Sequence, residues 1–287
     1  MTAKTRLDRG VTLLELLVVL MILSLILTAA IKTWDVTLQR GRIEQTNRKL
    51  EQLASVIVGD PNYVVAGRRV DFGYVGDMGE LPLTLADLVV RPTRADTNTW
   101  KGPYIRSTFD ESRDGFRMDP WGDSIVYGRA AYGLDSLFVR SYGGAGLVDR
   151  TKWTTRYFGY RWTDLLQDTV AGTVVDVKGA PPDSALFVNG TANGIVRVYL
   201  EYPRDGKMDT ASLNRLPNGM FTTHTTIGGA PVIYAIPQGT HRLWAQYINF
   251  NAIPNETTTT TVNVTVYPRL GAKDVQLRLN LDWSALP

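Results

Sequence analysis

Apolar residues run almost unbroken over residues 11–31, VTLLELLVVLMILSLILTAAI, and only Glu15 interrupts them with a charge. A stretch of about twenty such residues can cross a bilayer as a helix. Beyond it the pattern changes. Val36, Ile43, Leu50 and Ile57 recur every seven residues with Leu53 between them, while Arg40, Arg42, Glu44, Arg48, Lys49 and Glu51 fall elsewhere. That spacing predicts an amphipathic continuation of the same helix, with one stripe packed on a globular part. Proline is absent from residues 11–58, so one helix of about 70 Å is predicted there, stopping before Gly59-Asp60-Pro61. Gly41 is its weak position, costing about 1 kcal/mol relative to alanine.

Residues 59–165 are turn-rich, with short apolar runs. Only residues 81–90 have helical character there, and 137–143 read as a strand entering a glycine turn. From residue 166 the pattern is evenly β. Segments 172–177, 196–200, 231–235, 241–247, 259–267 and 275–281 alternate apolar and polar residues between Gly, Pro and Asn turns. Such regular short strands predict an all-β sandwich over 166–287. The threonines at 257–261 read as strand-forming residues on an exposed face. The fold class expected is α+β.

Composition narrows the chemistry. Cysteine is absent, so neither disulfides nor thiolate metal sites are available. The first ten residues hold Lys4, Arg6 and Arg9 against Asp8, which leaves 28 basic and 27 acidic side chains beyond them, a net +1. No basic stripe suited to phosphate contacts is present, and nucleic acid is not an expected partner. His224 and His241 stand alone, without metal-ligand spacing, and read as surface or strand positions. No Gly-x-Ser-x-Gly, phosphate loop or dinucleotide fingerprint occurs, so an enzyme is not expected.

Glu15 carries the sharpest hypothesis. A carboxylate near the start of a membrane-length helix is expensive and calls for a compensating cation. Cutting the chain after Gly10 would create one, the amine of Val11. A secretory signal cleaved near Thr28-Ala29-Ala30, or a plain signal anchor, are the competing readings. Neither accounts for a carboxylate five residues past a glycine. Residues 10–15, Gly-Val-Thr-Leu-Leu-Glu, resemble the leader junction of type IV prepilins and type II secretion pseudopilins. That resemblance implies a leader at 1–10, cleavage between Gly10 and Val11 by a prepilin peptidase, methylation of the new terminus, and pairing of Glu15 with a neighbouring subunit's amine. Val11 departs from the Phe or Met usual in that family, and the usual proline after the apolar stretch is missing. The basic leader fits the cytoplasmic side.

Three further stretches follow in order: Trp100-Lys101-Gly102-Pro103-Tyr104-Ile105, then Asp119-Pro120-Trp121-Gly122-Asp123, then Leu137-Phe138-Val139-Arg140-Ser141-Tyr142-Gly143. Together with the leader they resemble the major pseudopilins of type II secretion over about half the chain. The resemblance implies a long helix (11–58, with 11–31 in the membrane or filament core) packed on a small pilin-like antiparallel sheet in 59–165. It also implies partners: further copies of the chain, other pseudopilins, the peptidase, and an inner-membrane assembly platform. The location implied is the inner membrane with a periplasmic ectodomain. The family binds calcium in an acidic loop after Ser-Tyr-Gly, but here residues 143–149 offer one acid, Asp149. Asp110, Glu111, Asp114, Asp119 and Asp123 are the other nearby oxygen donors, and a solvated acidic turn competes with calcium as their explanation. The β region loosely resembles transthyretin-like sandwiches through residues 172–176, Ala180-Pro181 and residues 236–240. A displayed binding or adhesion module is the alternative function.

Overall fold

The computed structural model describes residues 13–105, 114–128, 137–227, 230–252 and 254–286. Helix α1 (Leu13–Val58) is continuous over 46 residues. Its buried positions are Thr46, Leu50, Leu53, Ala54, Ile57 and Val58, spaced to form one stripe on the last turns. Val36 and Ile43, expected in that stripe, are about half exposed. The globular part covers the helix only from Thr46 onward, so the seven-residue stripe begins later than its sequence pattern suggests. The helix ends at Gly59, whose φ of 81° only glycine adopts readily. A Cβ there would lie 2.4 Å from the Asp71 carbonyl oxygen.

The region packed on α1 is small. A hairpin of β1 (Val64–Val65) and β2 (Arg68–Arg69) leads into α2 (Gly73–Met78). Residues 81–90 form only a short 3-10 turn at Leu85–Leu88, not an α-helix. Pro82 and Pro92 bracket the segment, too short to repay nucleation of a helix. Strands β3 (Val126–Gly128), β4 (Phe138–Ser141) and β5 (Thr154–Tyr157) form an antiparallel sheet in sequence order, followed by α3 (Trp162–Leu166). Leu50, Leu53 and Ile57 of the helix meet Tyr74, Met78, Leu88, Leu137, Val139 and Leu165 in one core.

The remaining elements are β6 (Val170–Val175), α4 (Ser184–Val188), β7 (Gly194–Arg204), β8 (Lys207–Ser212), β9 (Asn214–Arg215), β10 (Met220–Thr222), β11 (His224–Ile227), β12 (Ala230–Ile233), β13 (Gly239–Asn249), β14 (Glu256–Val266) and β15 (Ala272–Arg278). They make two four-stranded sheets, ordered β15-β6-β10-β9 and β14-β13-β7-β8, and the small hairpin β11-β12. Inward residues Val174, Val198, Leu200, Phe221, Leu243, Ala245, Val266 and Leu277 form a second core with Phe187 of α4. The β6–β15 pairing is parallel; the other strand pairs are antiparallel.

The two cores are joined by directed hydrogen bonds. At the β7–β8 turn, Gly206 donates to the Met78 carbonyl (2.9 Å) and its own carbonyl accepts from Asp96 N–H (2.9 Å). Gly79 approaches Pro203 so closely that a Cβ would stand 2.0 Å from its carbonyl oxygen. The fully buried Gln238 donates from Nε2 to the Val58 and Phe72 carbonyls, at 2.8 and 3.0 Å, and from its backbone to Leu165. Arg69 also donates to the Val58 carbonyl (2.6 Å). The orphaned last turn of α1 is therefore capped partly by a side chain 180 residues away. His241, buried in β13, contacts the Pro237 carbonyl through Nε2 (2.7 Å), and burial lowers its pKa to about 4. Its place in a strand matches expectation; its burial excludes a surface role.

Asp168 lies in the same seam, with Oδ2 buried and without a hydrogen-bond partner. Burial raises its pKa to about 7 and the nearby Asp164 carboxylate adds to the rise, opposed by backbone N–H groups of Arg269 and Gly271. The folded state thus prefers the protonated acid. Two predictions follow from the seam. Gln238→Ala should lower unfolding free energy by about 1–2 kcal/mol, because two hydrogen bonds across the seam are lost while Arg69 and Gly76 still donate to the Val58 and Phe72 carbonyls; thermal or denaturant unfolding of the detergent-solubilised chain measures it. The Asp168 contribution to stability, about 1–2 kcal/mol after solvent screening, should be lost as pH rises from about 4 through about 7, while the lowered His241 pKa acts in the opposite sense between about 4 and 6.5. Asp168→Asn should remove that part of the slope in unfolding curves taken across this range.

Candidate assembly and processing site

Among the described residues nothing covers the apolar side chains of residues 13–31: Leu13 is 82% exposed, and Leu20, Leu25, Ile26 and Ile31 are about 60% exposed. Exposure of that much apolar surface is tenable only in lipid or against another helix. Among the described residues α1 is also the one helix long and apolar enough to cross a membrane. The hydroxyls in this segment do not break that character. Ser24, Thr28 and Thr33 each return a hydrogen bond to a carbonyl three or four residues earlier, at 2.7–2.9 Å. Glu15 is the third described residue of α1. Gly10 and Val11 lie outside the described residues.

The lower half of α1 is braced by the motif stretches. Asp119, 5% exposed, accepts from the backbone N–H groups of Trp121 (3.0 Å) and Asp123 (2.9 Å) with Oδ1, and from the Ser141 hydroxyl (2.6 Å) with Oδ2. Ser141 Oγ in turn accepts from Gly143 N–H (3.0 Å). One carboxylate therefore fastens the Asp-Pro-Trp-Gly turn to the Ser-Tyr-Gly strand end. Lys49 of α1 donates to the carbonyls of Gly115 and Met118 (both 2.9 Å), carrying the same turn onto the helix. Arg156 of β5 pairs with Glu51 (2.5 Å). In the first stretch, Tyr104 packs edge-on to both Tyr74 and Trp100 and donates to Asp77 (3.0 Å). Trp121, read from sequence as an anchor, lies over Gly144, where a Cβ would come within 2.7 Å of its ring.

Among the described residues, the acids that sequence offered as oxygen donors do not converge on one point. Asp119 already spends both oxygens on the turn and Ser141. Asp149 caps its own short turn through Thr151 N–H and hydroxyl, which hold its pKa below the usual range. Asp114 pairs with Arg117 three residues on. Among the described residues no group of three or more His, Asp or Glu side chains converges, whereas calcium takes six to eight oxygens. Asp110 and Glu111 lie outside the described residues. Asp119 is thus a structural residue that the sequence offered as a ligand. The Asp-x-x-x-Asp spacing, suited to an Asx-type turn, was the available signal.

Comparison with known proteins gives one result in register with this geometry. A family model described as the prokaryotic N-terminal methylation motif matches residues 5–31. No curated protein and no solved structure matches the chain. The match supports a type IV pilin-like prepilin-peptidase substrate, and the motif leads into a helix of membrane-spanning length. For the bracing network, Asp119→Ala should cost about 3 kcal/mol by stripping charge-assisted bonds from buried donors. Unfolding curves should show that loss while Asp123→Ala, which removes none of those acceptors, stays close to wild type.

Proposed function

We propose that the chain is a structural subunit of a pilus-like filament, and more narrowly of a type II secretion pseudopilus. The observation that carries the reading is the unburied apolar half of α1 with Glu15 in it, within a matched methylation motif. Cleavage after Gly10 frees the Val11 amine. The processed helix waits in the inner membrane with the ectodomain in the periplasm, then leaves the lipid to pack against identical helices. Glu15 accepts the Val11 amine of an adjacent subunit. A buried pair of this kind fixes register more than it adds stability. Further copies, other pseudopilins, the peptidase and an assembly platform are the partners, and the subunit acts by assembly rather than catalysis.

The secretion reading, rather than a true pilus, is supported by the Gly-Pro-Tyr, Asp-Pro-Trp-Gly and Ser-Tyr-Gly stretches and by the network that joins the last two. Two measurements check the proposal. Mass spectrometry of the mature protein should find an N-terminus at Val11 heavier by one methylene, and Gly10→Glu should block cleavage. Glu15→Ala should leave processing and the ectodomain melting curve unchanged while filament yield collapses; incorporation equal to wild type would sink the pairing mechanism.

A further inference from the structure

The four outer edges of the two larger sheets are not alike. β9 is two residues long. β8 is six residues long and carries Lys207 and Asp209. β15 carries Lys273 and Asp274, and its register breaks between Ala272 and Val275. Shortness, charge and bulges are the devices by which sheet edges avoid pairing with other chains. β14 is neither short nor bulged, and its one charge lies at its first residue. It runs for eleven residues, pairs with β13 without a register break from Gly239↔Val266 to Asn249↔Glu256, and carries one charge, Glu256. Residues 256–263 are exposed or half-buried, and only Val264 and Val266 are buried. Its substantial contacts among the described elements are with β13 and, beyond the turn at residues 267–271, with β15.

The sequence of this edge is self-complementary. Residues 257–261 are five threonines, so an antiparallel pairing centred on Thr259 sets threonine against threonine throughout. Glu256 then falls opposite Val262 of the other copy, and the two glutamates lie at opposite ends. Cross-strand threonine pairs are favourable, whereas directly opposed like charges are not. Threonine also suits extended backbone. We propose that the edge of β14 pairs antiparallel with β14 of a second copy of this chain, centred on Thr259, joining the two four-stranded sheets into one. The contact is two-fold and isologous. It uses a surface remote from Glu15 in sequence and stands independently of the filament reading.

The absence of cysteine permits a direct test. Opposed Cα atoms in an antiparallel pair lie about 4.5–5.5 Å apart, within disulfide range, whereas two Thr257 residues would be about 13 Å apart in this register. The detergent-solubilised full chain carrying Glu15→Ala, in which helix-driven assembly is removed, is oxidised mildly after single substitutions. Thr259→Cys should give a disulfide-linked dimer. Thr257→Cys and Thr261→Cys should each stay monomeric alone and cross-link to one another when mixed. Adding Thr260→Lys to Thr259→Cys should abolish the dimer without lowering the melting temperature. A monomeric Thr259→Cys chain, equal cross-linking at 257 and 259, or equal cross-linking from Thr210→Cys on β8 would overturn the proposal.

Discussion

The apolar side chains in the first half of α1 are left uncovered by the described residues of the fold, and the rest of the molecule is organised around that fact. Some nineteen residues of helix project beyond any packing surface, with leucine, isoleucine and valine on every side. Area-based transfer energies make such a surface intolerable in water. Lipid can cover it, as can other helices of the same kind. On the proposed reading the chain has two settings, membrane and bundle, with Glu15 costly in the first and useful in the second.

A projecting helix transmits force to whatever holds its other end, and the holding is unusually distributed. Leu50, Leu53 and Ile57 anchor it in the first core. Lys49 ties it to the turn built on Asp119, Arg156 ties it to the sheet, and Gln238 from the second core caps its last carbonyl. The cap makes the β-rich second half part of the helix's foundation. Asp168 places a titrating carboxyl in the same seam, so the junction is the place where pH acts on the fold.

Much of this was legible from sequence where periodicity was strong. The helix expected over 11–58 is described from Leu13 to Val58, the strands expected at 196–200 and 241–247 lie inside β7 and β13, and the one expected at 259–267 overruns the end of β14 by one residue. What escaped were elements whose existence depends on tertiary fit. α2 begins at a glycine and has another at Gly76, poor helix formers; Gly73 is there because a Cβ would strike Gly59 N at 2.5 Å. β9 and β10 are only two and three residues long and β8 is mostly polar, so pattern alone does not mark them. The leader motif was readable because its chemistry is local. The roles of Asp119 and Gln238 were not, since each depends on contacts 22 to 180 residues distant.

The central claim is that these helices assemble against one another with Glu15 neutralised by a neighbour's Val11 amine. High-resolution imaging of filaments assembled from the processed chain addresses it most directly. The account predicts helices 11–31 packed along the filament axis, with each Glu15 carboxylate within ion-pair distance of the Val11 nitrogen of an adjacent subunit. Filaments held together by ectodomains alone, with the apolar helices splayed outward or Glu15 facing another group, would contradict it.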